Sequence, residues 1–472
     1  MNKHRNFRVG AWLLIFHIGI LSSCQIFNRY HSPEYDARSL FRGEDPSDTT
    51  TIADIPWKKY FNDTILVGLI DEGLKNNYDL RIAATRIREA EVNLKMARAG
   101  FFPSVSIVAE AAETRVSMGE SGKKVLGYPK DQFTLAAAVS WELDIWGKIS
   151  RQKRAAYARF LSSETYKNLV QTSLIANIAT TYYALLAMDE QLTITTETIE
   201  LLEESKSTME ALKDAGVLNG AAVEQSKALL YATRTSVPDL ENQVRQLENS
   251  ICLMLGRKPD SIPRSSMSRQ VIPDELKYGV PVQMLAKRPD IRQAELGFRA
   301  AFELTNAARA SFYPSLTLGS QTSGSMIGYT STTISDFFKP ENIMANIAGG
   351  LVQPIFAKRQ LTGNLQIAKA QQEEALLTFE KTVLDASQEV SDILYSYKSS
   401  LRKNETRAKQ VEALKTAVYF TQELLKAGEA NYTEVLTAEQ NLLQAQLSQV
   451  NDFLEQLQAT VNLYRALGGG AD

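Results

Sequence analysis

The sequence predicts an α+β membrane protein in which one unit, long coiled-coil helices plus two amphipathic strands, occurs twice. The first observation behind this is a repeat. Asn77-Tyr78-Asp79-Leu80-Arg81 opens a helical stretch that closes at Ala99-Gly100-Phe101-Phe102-Pro103, and Arg288-Pro289-Asp290-Ile291-Arg292 opens another that closes at Ala310-Ser311-Phe312-Tyr313-Pro314. Asp79 and Asp290 stand 211 residues apart, as do Pro103 and Pro314. Trp146-Gly147-Lys148 and Phe356-Ala357-Lys358 stand 210 apart, and Ala215-Gly216 and Ala427-Gly428 stand 212 apart. A period this long marks a duplicated half rather than a solenoid repeat of about 20–50 residues. The second observation is the length of the unbroken helical runs, and the third is a change of hydrophobic period from 3.6 to 2 inside each copy.

The chain begins with a basic stretch (Lys3, Arg5, Arg8), then an apolar run from Ala11 to Leu21, then Leu21-Ser22-Ser23-Cys24. The run is too short to span a bilayer and its flanks suit a cleaved signal. Residues 1–23 are therefore expected to be a lipoprotein signal peptide, with Cys24 the acylated first residue of the mature chain. Residues 24–63 form the lipidated, polar N-terminal segment.

The first structural repeat is expected over 64–256. From Ser150 to Lys213 there is neither proline nor glycine, and Leu174, Ile178, Tyr182, Leu185, Met188, Leu192, Ile199 and Leu202 make one helical stripe. At 1.5 Å per residue such a run reaches about 90–100 Å. Lys213 to Gly220 and Lys426 to Tyr432 each place a glycine where a helix C-cap belongs, so each copy folds back as a long helical hairpin. Residues 257–275, with Pro259, Pro263 and Pro273, read as a linker, 276–468 as the second repeat and 469–472 as a tail. The last helix carries Leu436, Leu443, Leu447, Val450, Leu454, Leu457, Val461 and Tyr464, a heptad spacing.

Between the first two helices of each copy, alternation takes over. Phe133, Leu135, Ala137, Val139, Trp141, Leu143 and Ile145 alternate with polar or small residues, and Val105, Ile107, Ala109 and Ala111 begin a similar pattern. The second copy shows Leu316 and Leu318, then Ile343, Ala345, Ile347, Gly349 and Leu351, with 117–130 and 324–339 as connections. Segments of about ten residues match transmembrane β-strands. Glu142 and Asp144 on the polar face suit a water-filled lumen, and Tyr128, Trp141, Trp146, Phe337 and Phe338 suit the membrane interfaces. About four strands cannot close a barrel, and lipid cannot satisfy an open edge, so the chain must oligomerise.

Composition limits the chemistry. The only histidines are His4, His17 and His31, and only the last survives cleavage; Cys252 is the only cysteine besides Cys24. That leaves little material for catalysis, a disulfide framework or a transition-metal site, so no enzyme activity, cofactor or metal is expected. Removing Lys3, Arg5 and Arg8 moves the formal net charge from −2 to −5, which argues against nucleic acid as a partner.

With Pro56-Trp57-Lys58-Lys59-Tyr60-Phe61-Asn62-Asp63, Asn77-Tyr78-Asp79-Leu80, Trp141-Glu142-Leu143-Asp144-Ile145-Trp146-Gly147-Lys148, Lys287 to Arg292 and Gln353-Pro354-Ile355-Phe356 in view, the mature chain resembles the TolC/OprM-like outer-membrane factors, in the lipidated branch that serves multidrug efflux. The resemblance implies a homotrimer whose 12-stranded transmembrane β-barrel is continuous with a periplasmic α-helical barrel, in the outer membrane of a Gram-negative (diderm) bacterium. It implies an exit duct for an inner-membrane pump of RND type, with a periplasmic adaptor (membrane fusion protein) docking on the hairpin tips, here Gly216, Val217, Leu218 and Gly428, Glu429, Ala430. Relatives often gate with an Asp-Val-Leu-Asp-Ala type segment. Here Glu434-Val435-Leu436-Thr437-Ala438 stands in that place, keeping one acid and replacing the second by Thr437. Glu434, Leu436 and Thr437 are the gate candidates; a solvated glutamate favoured by the helix dipole is the other reading of Glu434. Two other functions remain open on the residues alone, a periplasmic adaptor and a structural coiled-coil lipoprotein. The first predicts one hairpin with flanking β-domains and the second needs no alternating strands.

Overall fold

The computed structural model describes residues 28–34, 51–113, 131–272, 287–319 and 325–471. Cys24 and the whole connection 117–130, Tyr128 included, lie outside the described residues. The chain forms two compact units. One holds residues up to 34, 87–162 and 294–379; the other holds 35–86, 163–293 and 380–472.

The elements repeat in length as well as in order. α1 (Thr64–Asn76) precedes α2 (Tyr78–Ala99), β1 (Ser104–Glu113), β2 (Asp131–Leu143), α3 (Lys148–Asp214) and α4 (Gly220–Met254). The second half runs α5 (Pro289–Ala310), β3 (Ser315–Leu318), β4 (Ser325–Ser331), β5 (Ile343–Asn346), β6 (Gly349–Val352), α6 (Gln360–Lys426) and α7 (Tyr432–Ala466). α2 and α5 each have 22 residues, α3 and α6 each 67, and α4 and α7 each 35. Among the described residues no helix is long and apolar enough to cross a membrane.

Polar side chains set the boundaries of these helices. The Asp63 carboxylate accepts from the Ile65 and Leu66 amides and starts α1, which buries Leu66, Leu69 and Ile70. Asn77 closes α1 through its own amide, which donates to the Gly73 carbonyl, and opens α2 through Oδ1, which accepts from the Asp79 and Leu80 amides. Each such cap stabilises by about 1 kcal/mol. Asp144, read from the sequence as a lumen acid, instead caps α3: its carboxylate accepts from the Ile149 and Ser150 amides and from the Ser150 hydroxyl. Glu142 accepts from Lys148 Nζ at 2.9 Å.

In the first unit the strands make one antiparallel sheet. β1 runs beside β2, from Ser104 opposite Ser140 to Glu113 opposite Asp131. The other edge of β2 carries two short strands in turn. Leu316 and Leu318 of β3 face Leu143 and Trp141, and Ser325 and Ser331 of β4 face Val139 and Phe133. Seven steps of chain from Leu318 to Ser325 thus cover two steps of β2, an excess of five residues. β6 and β5 line the far side in the same way, with Gly349 opposite Leu318 and Asn346 opposite Met326. Gly319 opens the insertion at φ +69°, where an added Cβ would lie 1.8 Å from the Val139 carbonyl oxygen. The six segments are therefore four lines of strand.

This corrects the sequence reading of the second copy, in which residues 324–339 were a connection. Ser325–Ser331 is a strand, and the odd-numbered insertion explains why the pattern hid it. Five extra residues shift the alternation, so the apolar face passes from Leu316 and Leu318 to Ile327 and Tyr329. Across the sheet that face is continuous. Val105 and Ile107, Val139 and Ala137, Ile327, and Ala345 share it, while Ser106, Glu110, Thr134, Thr330 and Asn346 share the other. Among the described residues, β1 pairs only with β2, and β5 and β6 only with β4 and β3, so the sheet has two open edges. Phe337 and Phe338 gather with Tyr329 of β4, their rings 5.0–6.1 Å apart, whereas Trp146 packs inward against Tyr313.

Candidate functional site

In the second unit the two helical hairpins turn by the same device. α3 ends at Gly216, φ +76°; its amide donates to the Lys213 carbonyl at 2.9 Å, and the Val217 amide donates to the Leu212 carbonyl at 2.9 Å. α6 ends at Gly428, φ +75°, where the Gly428 amide reaches the Leu425 carbonyl at 3.0 Å and the Glu429 amide reaches the Leu424 carbonyl at 2.9 Å. Both are Schellman closures, which need a left-handed residue at this one position. An added Cβ would meet nothing within 4 Å at either glycine, so backbone conformation, not space, selects glycine here. Asn219 and Asn431 then cap the returning helices, accepting from the Ala221 and Ala222 amides and from the Thr433 amide. The heptad reading had no signal for these asparagines; the step from glycine to asparagine three residues on was there to be read.

An apolar cluster ties the two tips together. Met209, Val223, Leu425 and Val435 are buried, with Leu212, Leu218, Tyr432 and Leu436 packed against them. Leu218, among the expected docking residues, and Leu436, among the expected gate residues, are thus half-buried in their own chain. Gly216, Val217, Gly428, Glu429, Glu434 and Thr437 are exposed, and Ala430 is half-buried. Glu434 sits in the first turn of α7, where the positive end of the helix dipole favours it. The Thr437 hydroxyl donates to the Thr433 carbonyl of its own helix at 2.7 Å. Around the turns Lys213, Asp214, Glu423 and Lys426 are exposed, so the tips present both signs of charge.

Just behind the tip lies Glu439, which the sequence reading passed over. It is buried, its Oε1 accepts from Gln422 Nε2 at 3.0 Å, and among the described residues its Oε2 has no hydrogen-bond partner. Burial raises its pKa above the ordinary glutamate value, against the hydrogen bonds from Gln422 and Ser205 that lower it. A second polar hub surrounds Asp63. Its Oδ2 accepts from Tyr182 Oη and Gln270 Nε2, each at 2.9 Å, and from the Ser265 hydroxyl. Burial opposes the Asp63 charge, but these donors and the Ile65 amide outweigh it and hold the pKa below the usual carboxylate value. The hub borders a cavity of about 430 Å³ lined also by Tyr60, Tyr183 and Arg269. The hub's donors are committed to Asp63, so it ties the linker to α1.

A repeated long-helix hairpin, joined in each copy to amphipathic strands whose lines form one sheet with a continuous apolar face, defines a β-barrel channel subunit with helical extensions. The chain belongs to the outer membrane efflux protein family, whose model matches residues 69–257 and 280–469, one match for each copy. It is 28% identical over 467 residues to the solvent efflux pump outer membrane protein SrpC of Pseudomonas putida, covering 97% of this chain and 98% of SrpC. It is 28% identical over 454 residues to the probable outer membrane lipoprotein SilC of Salmonella typhimurium, covering 96% of each. Among solved structures it matches the outer-membrane channel OprN with a TM-score of 0.86 at 26% identity, over 95% of this chain and 100% of that one. It also matches CusC, with a TM-score of 0.80 at 26% identity, over 93% and 99%. This membership decides against the adaptor and the structural coiled-coil lipoprotein and makes the chain a non-enzymatic efflux channel of the outer membrane.

Proposed function

We propose that this chain is the exit duct of a tripartite efflux pump of RND type, working as a lipid-anchored homotrimer with a periplasmic adaptor and an inner-membrane pump. The carrying observation is the sheet. One apolar face suits lipid, one polar face suits a lumen, and two edges lack partners. An open edge cannot face hydrocarbon, where each unpaired amide or carbonyl costs several kcal/mol. Three copies of four strand lines give twelve, an even number inside the range for outer-membrane barrels of about 8–26 strands. The Cys24 acyl chains would add a tether to the membrane that the strands already span.

The tips are the docking surface in this reading. Gly216, Val217 and Leu218, with Gly428, Glu429 and Ala430, form two adjacent turns that share one apolar cluster, so an adaptor would meet both as one surface. Glu434 and Thr437, exposed beside them, and Leu436 would lie nearest the threefold axis and narrow the duct. Native mass spectrometry of the detergent-extracted full chain tests the assembly. Three copies are expected, and a stable monomer would overturn the reading.

A further inference from the structure

The two halves of the chain meet through contacts that have exposed, unpartnered counterparts. In the first unit the Trp146 ring stacks on Tyr313, centroids 5.0 Å apart, and its Nε1 donates to the Pro314 carbonyl at 2.7 Å. By the repeat, Trp146 corresponds to Phe356 and Tyr313 to Phe102. Those two phenylalanines are 83% and 73% exposed. Deeper in the same junction Arg151 of α3 pairs with Glu303 of α5 at 2.8 Å, and Glu303 is 3% exposed. Since α3 and α6 have equal length, and α2 and α5 likewise, the counterparts are Gly363 and Val92. Val92 is 52% exposed, and a Cβ added at Gly363 would meet nothing within 4 Å. Buried Ala155 and Ala307 correspond in the same way to exposed Ile367 and Met96. One junction is therefore filled inside the chain, and among the described residues the equivalent junction is empty, with Ile367 and Met96 where the filled one has alanines and Gly363 and Val92 where it has the ion pair.

We propose that a second copy of this chain fills the empty junction. Phe356 of one copy stacks on Phe102 of the next, and Val92, Met96 and Ile367 close over the gap beside them. This rests on the trimer reading above and gives its interface a residue-level register. Carried over at the sequence offsets of 210 and 211, the pairing of Trp141 with Leu318 becomes Leu351 of β6 beside Ile107 of β1 in the neighbouring copy, to within the two residues by which the β1–β2 and β3–β6 registers differ. Both side chains lie on the apolar face of their own strands, so the transferred register keeps that face continuous around the ring. The two junctions are also chemically distinct. Setting Arg151 against Val92 would bury an unpaired charge, so the halves cannot exchange partners without loss.

The test uses the full-length chain carrying Phe102→Cys and Phe356→Cys, treated in membranes with a short bis-maleimide; native Cys252 is buried. Covalent dimers and trimers are expected from the double variant, none from either single variant, and dimers only when the two single variants are co-expressed. A native-mass trimer that yields no cross-linked species would overturn this interface while leaving the trimer standing. A native-mass monomer would overturn both. A charge transplant gives a second readout: Val92→Glu alone should abolish SDS-resistant trimers and Val92→Glu with Gly363→Arg should restore them. No loss with the first, or no recovery with the second, counts against the interface.

Discussion

Glu439 and Gln422 face each other across the second hairpin at 3.0 Å, in the positions that Lys227 and Glu210 take in the first, where they form an ion pair at 3.8 Å. The duplicated contact has lost its cation and kept its acid, on the other helix and buried. A carboxylate so placed lacks the counter-charge that its repeat partner enjoys.

This gives a pH prediction with a definite sign. Burial raises the Glu439 pKa in the folded chain. The stability it contributes is therefore fully present below the ordinary glutamate value and lost as pH rises through the raised one. Glu439→Gln should raise the melting temperature at pH 8, on the order of 1 kcal/mol in stability, the scale of one relieved unsatisfied polar group. At pH 4 it should do nothing. Equal shifts at both pH values in thermal unfolding of the detergent-solubilised protein would show that charge is not the cause.

Asp63 predicts the opposite slope. Its pKa is held low, so its contribution is present above the ordinary aspartate value and lost as pH falls through the lowered one. Asp63→Ala removes a cap and strands Tyr182, Ser265 and Gln270, a loss of about 2–3 kcal/mol after allowing for partial exposure. In thermal melts the gap from wild type should narrow as pH falls below the ordinary aspartate value, and a constant gap would contradict the assignment.

The turn glycines should fail by conformation. Gly216→Val or Gly428→Val forces a β-branched residue to φ near +75°, at about 1–2 kcal/mol. Substitution by asparagine, which tolerates that region, should cost less. If the tips dock the adaptor, the valine variants abolish efflux with trimer levels unchanged, read by drug susceptibility and immunoblot. Normal efflux in both places docking elsewhere.

Much of this was legible in the sequence because repetition doubled each signal. Gly216 and Gly428 mark both turns, and an offset that drifts by only two residues pairs the two hairpins from the sequence alone. What escaped depended on parity and on three-dimensional pairing. β4 was hidden because five inserted residues shifted its alternation and its apolar face, bounded by Ser325 and Ser331, holds only Ile327 and Tyr329. Asp144 looked like a lumen acid because strand parity placed it there, yet it follows the strand and starts a helix. Glu439 carried no local signal, since its partner Gln422 lies on another helix and only the comparison with Lys227 shows what is missing.

Cys24 is expected to be the acylated first residue of the mature protein. Intact mass and N-terminal peptide analysis should show cleavage after Ser23 and acyl chains on Cys24; an unmodified peptide spanning the two would refute it. Cys24→Ser should still assemble in part, because the strands carry most of the membrane contact.

The central claim, that this chain forms a duct narrowed at its periplasmic end, is tested most directly by planar-bilayer recording of the purified trimer beside Leu436→Ser and Glu434→Ala. Small discrete steps are predicted for wild type, larger ones for Leu436→Ser, and weaker block by multivalent cations for Glu434→Ala, while Thr437, bonded to its own helix, should be neutral as Thr437→Val. Steps of unchanged size and block in all variants would place the constriction at other residues, and absence of conductance from every trimer preparation would contradict the duct itself.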